Sequence, residues 1–144
     1  DFPGLRMVCV CGELFGLAPP KLPPEVELHN YIPDLYEHYA ACDMAVVVGG
    51  GTTTIELTAL RRPFIFFPLE NQFDQQIYVA ERLARHGAGI KMRYHQTTPE
   101  LLAKTIRAHI GEDVNWKSIP TDGAQKAAKL INHSLMGVEK AVEY

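Results

Sequence analysis

Short apolar runs alternate with longer stretches in which apolar residues recur every three or four positions, a pattern that predicts strands and helices in turn. Met7 to Cys11, Ala45 to Val48, Phe64 to Phe67 and Gly89 to Met92 read as strands, with Val26 to His29 a less marked fifth. The runs are apolar throughout rather than alternating, as parallel strands covered by helices on both faces are. Leu35, Tyr36, Tyr39 and Ala40 form one stripe of a helix over Asp34 to Cys42, and Thr53 to Arg62 is a helix apolar on most sides. Ile77, Ala80, Leu83 and Ala84 keep helical spacing until Gly87 supplies a left-handed stop. Thr98 followed by Pro99 opens a further helix through Leu102 and Ile106, and Ala124, Ala127, Ala128, Ile131 and Leu135 mark the last one. Gly12 to Pro24 is the one long loop predicted. The expected fold is therefore α/β, a Rossmann-like open parallel sheet with helices on both faces.

A length of 144 residues with 47% hydrophobic and 22% charged residues suits one globular domain over 1–144. The formal net charge of −3 offers no field for a polyanion, so no nucleic acid is expected as partner. Cys9, Cys11 and Cys42 form neither a disulfide framework nor a zinc site, and are expected to be reduced and buried in a cytoplasmic protein. The histidines show no metal-ligand spacing, and no metal or cofactor is expected. The start DFPGLR lacks an initiator Met, from which a fragment of a longer protein is expected.

The segment richest in chemistry is Met44 to Glu56, MAVVVGGGTTTIE, in which a strand runs into three glycines, three threonines and a helix. Glycine permits close backbone approach, threonine can cap, and a helix start presents free N–H groups with a positive dipole end. In an open α/β sheet this turn falls beyond the carboxyl end of a strand, where ligands bind, and a pyrophosphate is its natural occupant. The same residues also serve a tight strand-to-helix turn that uses glycine for packing alone. Neither GxGxxG nor GxxxxGK[ST] is present, so neither a dinucleotide dehydrogenase nor a P-loop NTPase is supported.

Pro68 to Gln76, PLENQFDQQ, is dense in amides and carboxylates at another strand's carboxyl end. Paired donors and acceptors of this kind suit a polyhydroxylated ligand; the other reading is a solvated loop with Asn71 capping the next helix. Glu56, early in its helix, either complements the dipole or reaches a ligand. Arg61 and Arg62 are expected to balance a helix dipole, and Trp116 with Tyr94 to pack locally.

In order, the motifs YIPDL at 31–35, GGTTTIE at 50–56, RPFIFFP at 62–68 and DQQ at 74–76 resemble the C-terminal, donor-binding domain of GT-B glycosyltransferases. The type is glycosyltransferase family 28, found in the peptidoglycan N-acetylglucosaminyltransferase, and the likeness runs from about Met7 to the last helix. Spacing agrees, with Pro63 seven residues after Glu56 and Gln75 seven after Pro68. The resemblance implies that backbone near Ile32 meets the uracil and that Gly50, Gly51, Thr52, Thr53 and Thr54 hold the pyrophosphate. It further implies that Glu56 binds ribose hydroxyls and that Asp74, Gln75 and Gln76 face the donor sugar.

Two departures bear on these implications. The family often places an Asn where this chain has Val79, and that Asn contacts the sugar. In this family a first βα unit with a glycine-serine-rich loop precedes the strand at Met7 to Cys11, and the 144 residues are expected to lack it. The base and acceptor site belong to an N-terminal domain in this family, so no catalytic residue is assigned and the chain alone is expected to be inactive. The intact enzyme would transfer a hexose from a UDP-sugar with inversion, without a metal, in peripheral association with a membrane. The alternatives are a non-catalytic donor-binding subunit of a two-chain glycosyltransferase and a fragment of a nucleotide-sugar 2-epimerase.

Overall fold

The computed structural model describes residues 3–12, 21–69, 71 and 75–139, with the backbone alone at 75, 76 and 137–139. Most of the loop predicted between Gly12 and Pro24 lies outside the described residues, as does Asp74. The chain forms two compact units, Asp1–His38 and Tyr39–Tyr144.

In the first unit, β1 (Met7–Val10) and β2 (Val26–His29) pair in parallel, with Met7 opposite Val26 and Val10 opposite His29. Arg6 and His29 flank Glu27, with Arg6 Nε 2.8 Å from one carboxylate oxygen and His29 Nε2 3.7 Å from the other. The Arg6 guanidinium holds the Glu27 carboxyl below its usual range, but on an exposed surface such a pair adds little stability. Helix α1 (Leu35–Ala41) then crosses the boundary between the units. Its stripe is only half-buried, and Tyr36 is exposed.

The second unit is a parallel sheet in the order β3 (Ala45–Val48), β4 (Phe64–Phe67), β5 (Ile90–Lys91). Central β4 is apolar throughout because both its faces are covered: Phe64, Ile65 and Phe66 are at most 2% exposed. Burial on that scale stabilises by about 1.5–3 kcal/mol per side chain. Leu57, Val79, Leu83, Ala88 and Ala45 complete the core. Edge strand β3 is not covered on both faces, since Val46 and Val48 are exposed.

Helix α2 (Gly51–Ala59) begins two residues before the expected start and ends before Arg62. Its end is set by Arg61, which adopts φ +55 in the place glycine usually takes. Arg61 N–H donates to the Thr58 carbonyl and Arg62 N–H to that of Leu57, closing a Schellman turn. The Arg61 guanidinium donates to the carbonyls of Trp116 (3.0 Å) and Val114 (2.5 Å), so it tethers a loop rather than balancing a dipole. Trp116 packs edge-on against Phe64 and donates Nε1–H to the Thr58 carbonyl, while Tyr94 pairs with His95 instead.

A π-helical turn (Gln75–Val79) opens α3 (Ala80–His86). Its wider winding rotates the apolar face, so Val79 and Leu83 are buried while Ala84, expected inside, is exposed. Gly87 stops α3 at φ 66, with Gly87 and Ala88 N–H groups donating to Ala84 and Leu83. Thr98 caps α4 (Pro99–His109) through its hydroxyl and the Leu101 N–H, as the Thr-Pro pair predicts. Helix α5 (Gly123–Glu139) carries the expected apolar stripe, but Leu130, Ile131, Leu135 and Met136 are all exposed.

Gly89 joins α3 to β5 at φ +71, and a Cβ there would stand 2.5 Å from the Phe64 ring. Gly89→Ala is therefore expected to destabilise the protein by about 2 kcal/mol or more, combining left-handed strain with overpacking. A lower urea midpoint at unchanged m-value measures this. Arg61→Ala keeps the left-handed backbone and loses both carbonyl bonds, an expected loss of about 1–2 kcal/mol. Arg61→Gly relieves the strain and should lose about 1 kcal/mol less; equal losses in the two variants would contradict the assignment.

Candidate functional site

The carboxyl ends of β3 and β4 lie against each other. Gly49 N–H donates to the Phe67 carbonyl at 2.9 Å, and a Cβ on Gly49 would stand 2.9 Å from Pro68 Cα. Only glycine permits that approach without displacing backbone. It brings the glycine turn beside the start of the polar segment that begins at Pro68.

From there Gly50 turns the chain. Its N–H donates to the Val48 carbonyl, its φ and ψ are −68° and 145°, and it caps α2 with no side-chain bond. The first turn-to-turn helical bond is Thr54 N–H to the Gly50 carbonyl at 3.2 Å. The N–H groups of Gly51, Thr52 and Thr53 thus have no partner one turn back, and they carry the positive end of the helix dipole. Among the described residues, nothing stands within 4 Å of a Cβ built on Gly50 or Gly51.

The three threonines differ. Thr52 is exposed and Thr53 half-buried, whereas Thr54 is 0% exposed. Instead of capping, the Thr54 hydroxyl bonds back to the Gly50 carbonyl (2.7 Å), with the Gly51 carbonyl at 3.1 Å, and Thr58 repeats this on Thr54. Back-bonding of this kind draws the hydroxyls along the helix and leaves the end N–H groups for other acceptors.

Glu56 is half-buried one turn further on. Both it and Thr53 act on Tyr39 of α1, whose phenol is pushed up chiefly by burial. The Thr53 hydroxyl opposes that shift and the Glu56 charge adds to it. Tyr39 therefore borders the site, although the pattern of α1 marks it only as a stripe residue.

A second neighbour comes from α3. Arg82 Nη2 donates to the Thr54 hydroxyl at 3.0 Å and to the Gly51 carbonyl at 3.3 Å. Burial, with Arg85 nearby, lowers its pKa. It lies 28 residues from Thr54, and no local motif announces it.

Of the other residues singled out, Gln75 and Gln76 are placed by their backbone in the π turn that opens α3. Ile32 belongs to the first unit, where it is 8% exposed. The cysteines are free and half-buried rather than buried. Burial raises the thiols of Cys9 and Cys42, which makes them poor nucleophiles at neutral pH. Among the described residues no group of His, Cys, Asp or Glu could hold a metal ion, and no helix is long and apolar enough to cross a membrane.

The sequence is similar to a known family and to several of its members. Residues 13–134 match the glycosyltransferase family 28 C-terminal domain. A UDP-N-acetylglucosamine--N-acetylmuramyl-(pentapeptide) pyrophosphoryl-undecaprenol N-acetylglucosamine transferase from Geobacter metallireducens is 35% identical over 101 residues, covering 69% of this chain and 28% of the relative. The protein of the same name from Symbiobacterium thermophilum is 33% identical over 130 residues, covering 78% and 35%. An uncharacterised glycosyltransferase from Methanopyrus kandleri is 27% identical over 111 residues, covering 74% and 31%. The chain thus spans about a third of the length of these relatives. Strands β2 to β5, the glycine turn and the threonine-rich helix fall within the matched span, and the chain belongs to the glycosyltransferase family 28 C-terminal domain family.

Proposed function

We propose that residues 1–144 form one nucleotide-sugar-binding domain, the donor-holding part of a glycosyltransferase that uses a UDP-sugar. The observation that carries this reading is the open first turn of α2, where the N–H groups of Gly51, Thr52 and Thr53 stand at the carboxyl end of β3. A diphosphate there accepts from several N–H groups and meets the positive dipole end.

During transfer an acceptor hydroxyl displaces the nucleoside diphosphate from the anomeric carbon, a single displacement that inverts configuration. Negative charge grows on the leaving diphosphate. Fixed N–H donors already aimed at that position stabilise the charge without reorganising, so the step does not require a metal ion. Glu56 would accept from the ribose hydroxyls, Asp74, Gln75 and Gln76 would contact the sugar, and backbone at Ile32 would meet the base. The names of the Geobacter and Symbiobacterium relatives, both UDP-N-acetylglucosamine enzymes, support the uridine nucleotide.

The sugar itself is a separate matter. Val79, where the family often has an Asn that contacts the sugar, is 7% exposed and packed with Leu83, Phe64 and Phe66. An apolar side chain in the core makes no hydrogen bond to a hydroxyl, which argues for a donor recognised differently at that point. The base and the acceptor site would come from an N-terminal domain of an enzyme working in the cytoplasm and in peripheral contact with a membrane. The exposed apolar stripe on α5 supports a covering surface of that kind, and the 144 residues alone should not turn over.

A thermal-shift screen of UDP-, dTDP- and GDP-sugars, followed by calorimetry, tests the reading. A UDP-sugar should give the largest stabilisation, and Glu56→Ala should weaken it about tenfold or more, the loss of a charge-assisted hydrogen bond. Absence of binding by every nucleotide sugar, or unchanged affinity in Glu56→Ala, would falsify it.

A further inference from the structure

The turn that presents the N–H groups is built from the least restrained of residues. Gly49 is confined by Pro68, but a Cβ on Gly50 or Gly51 would meet none of the described residues within 4 Å, so their packing does not fix the peptides there. Glycine visits most of the allowed backbone map, and two in succession would let the turn wander between arrangements. Two backbone bonds act on the turn, Gly50 N–H to the Val48 carbonyl and Thr54 N–H to the Gly50 carbonyl, and neither engages the Gly51 carbonyl.

We propose that Arg82 is the positioning residue of the diphosphate site: its guanidinium clamps the first turn of α2 so that the N–H groups of Gly51 to Thr53 stay aimed past the helix start. The inference rests on the donor-site reading above and extends it to a residue on another helix. Arg82 Nη2 donates to the Gly51 carbonyl at 3.3 Å. A trans peptide is planar, with its C=O and N–H opposed, so fixing the Gly51 carbonyl also fixes the direction of the Thr52 N–H. The second hydrogen on Nη2 goes to the Thr54 hydroxyl at 3.0 Å, which in turn donates to the Gly50 carbonyl at 2.7 Å. One guanidinium nitrogen therefore restrains the peptides that follow both Gly50 and Gly51.

The charge matters as well as the geometry. No carboxylate among the described residues bonds to Arg82, and the charge that acts on it is that of Arg85. A half-buried cation with no counter-ion among the described residues adds positive charge at the helix start, which an incoming diphosphate neutralises. Uridine, which presents base and ribose without phosphates, gains nothing from it.

The test is calorimetry on the 144-residue chain with UDP and with uridine, using Arg82→Met, Arg82→Lys and Thr54→Val, each checked for folding by circular dichroism. Arg82→Met should weaken UDP about tenfold or more and leave uridine within about twofold of wild type. Arg82→Lys, which keeps charge but reaches one acceptor at a time, should recover part of the loss. Thr54→Val, which removes the relay to Gly50 while keeping the shape, should weaken UDP in the same selective way, and with Arg82→Lys it carries the test if Arg82→Met does not fold. Wild-type UDP affinity in all the folded variants overturns the role of Arg82 and leaves the donor reading standing. A parallel loss of UDP and uridine shows a general structural effect and overturns it too. Failure of the unaltered chain to bind UDP removes the donor reading itself, and the role of Arg82 with it.

Discussion

Everything that places the site depends on the burial of β4. With Phe64, Ile65 and Phe66 sealed on both faces, this strand is fixed between β3 and β5, and its register with β3 sets where both strands end. The two carboxyl ends then meet at Gly49 and Pro68, at a distance that excludes any side chain on residue 49. A hydrophobic requirement in the middle of the sheet is thus converted into a polar consequence at its edge, where the first turn of α2 starts beside the segment leading to the π turn and α3. Gly49, where the turn begins, does not have to find its place independently. The sheet delivers it.

The same constraint explains which parts of the fold were legible in the chain. Central strand β4 is apolar at every position, and its expected bounds, Phe64 to Phe67, agree with the structure because burial on both faces removes any ambiguity. Local chemistry was equally readable at Thr98 with Pro99 and at Gly87, where the cap or stop is decided by the residue itself. Where position depends on something distant, the pattern misleads. Ala84 lies on the expected apolar face, yet the π turn at 75–79 adds a residue to the winding and brings Val79 inside instead. Arg61 sits where glycine would mark a helix end, and what holds it there is a pair of carbonyls more than fifty residues away. Neither cause has a signal in its own segment.

For the candidate site, glycine and threonine pointed to the turn that opens α2, but not to how its groups are used. Consecutive helical residues are rotated by about 100° from one another, so a run of identical side chains cannot face one environment. Thr52 is exposed, Thr53 stands by Tyr39, and Thr54 turns into the interior with its hydroxyl on the carbonyls of the turn. Tyr39 and Arg82 were unreadable as neighbours for the complementary reason. Each belongs to a helix whose sequence pattern records only which face packs, and nothing in α1 or α3 names the first turn of α2 as its contact.

Polar groups at this turn follow a division of labour that electrostatics makes reasonable. Side-chain hydroxyls and one guanidinium nitrogen take the carbonyls of the first turn, which would repel an anion, and hold them along the helix or toward Arg82. N–H groups, which attract an anion, are left pointing past the helix start. A threonine cap would have reversed the arrangement, because its oxygen accepts from the N–H groups that a diphosphate needs. The absence of a capping side chain at Gly50 therefore has the same physical logic as the back-bonding of Thr54: both keep acceptors away from the open end and donors free at it. Glycine at the cap position lowers the local stability of the helix by a few tenths of a kcal/mol relative to a capping side chain, a small cost beside the charge-assisted bonds that a bound anion makes.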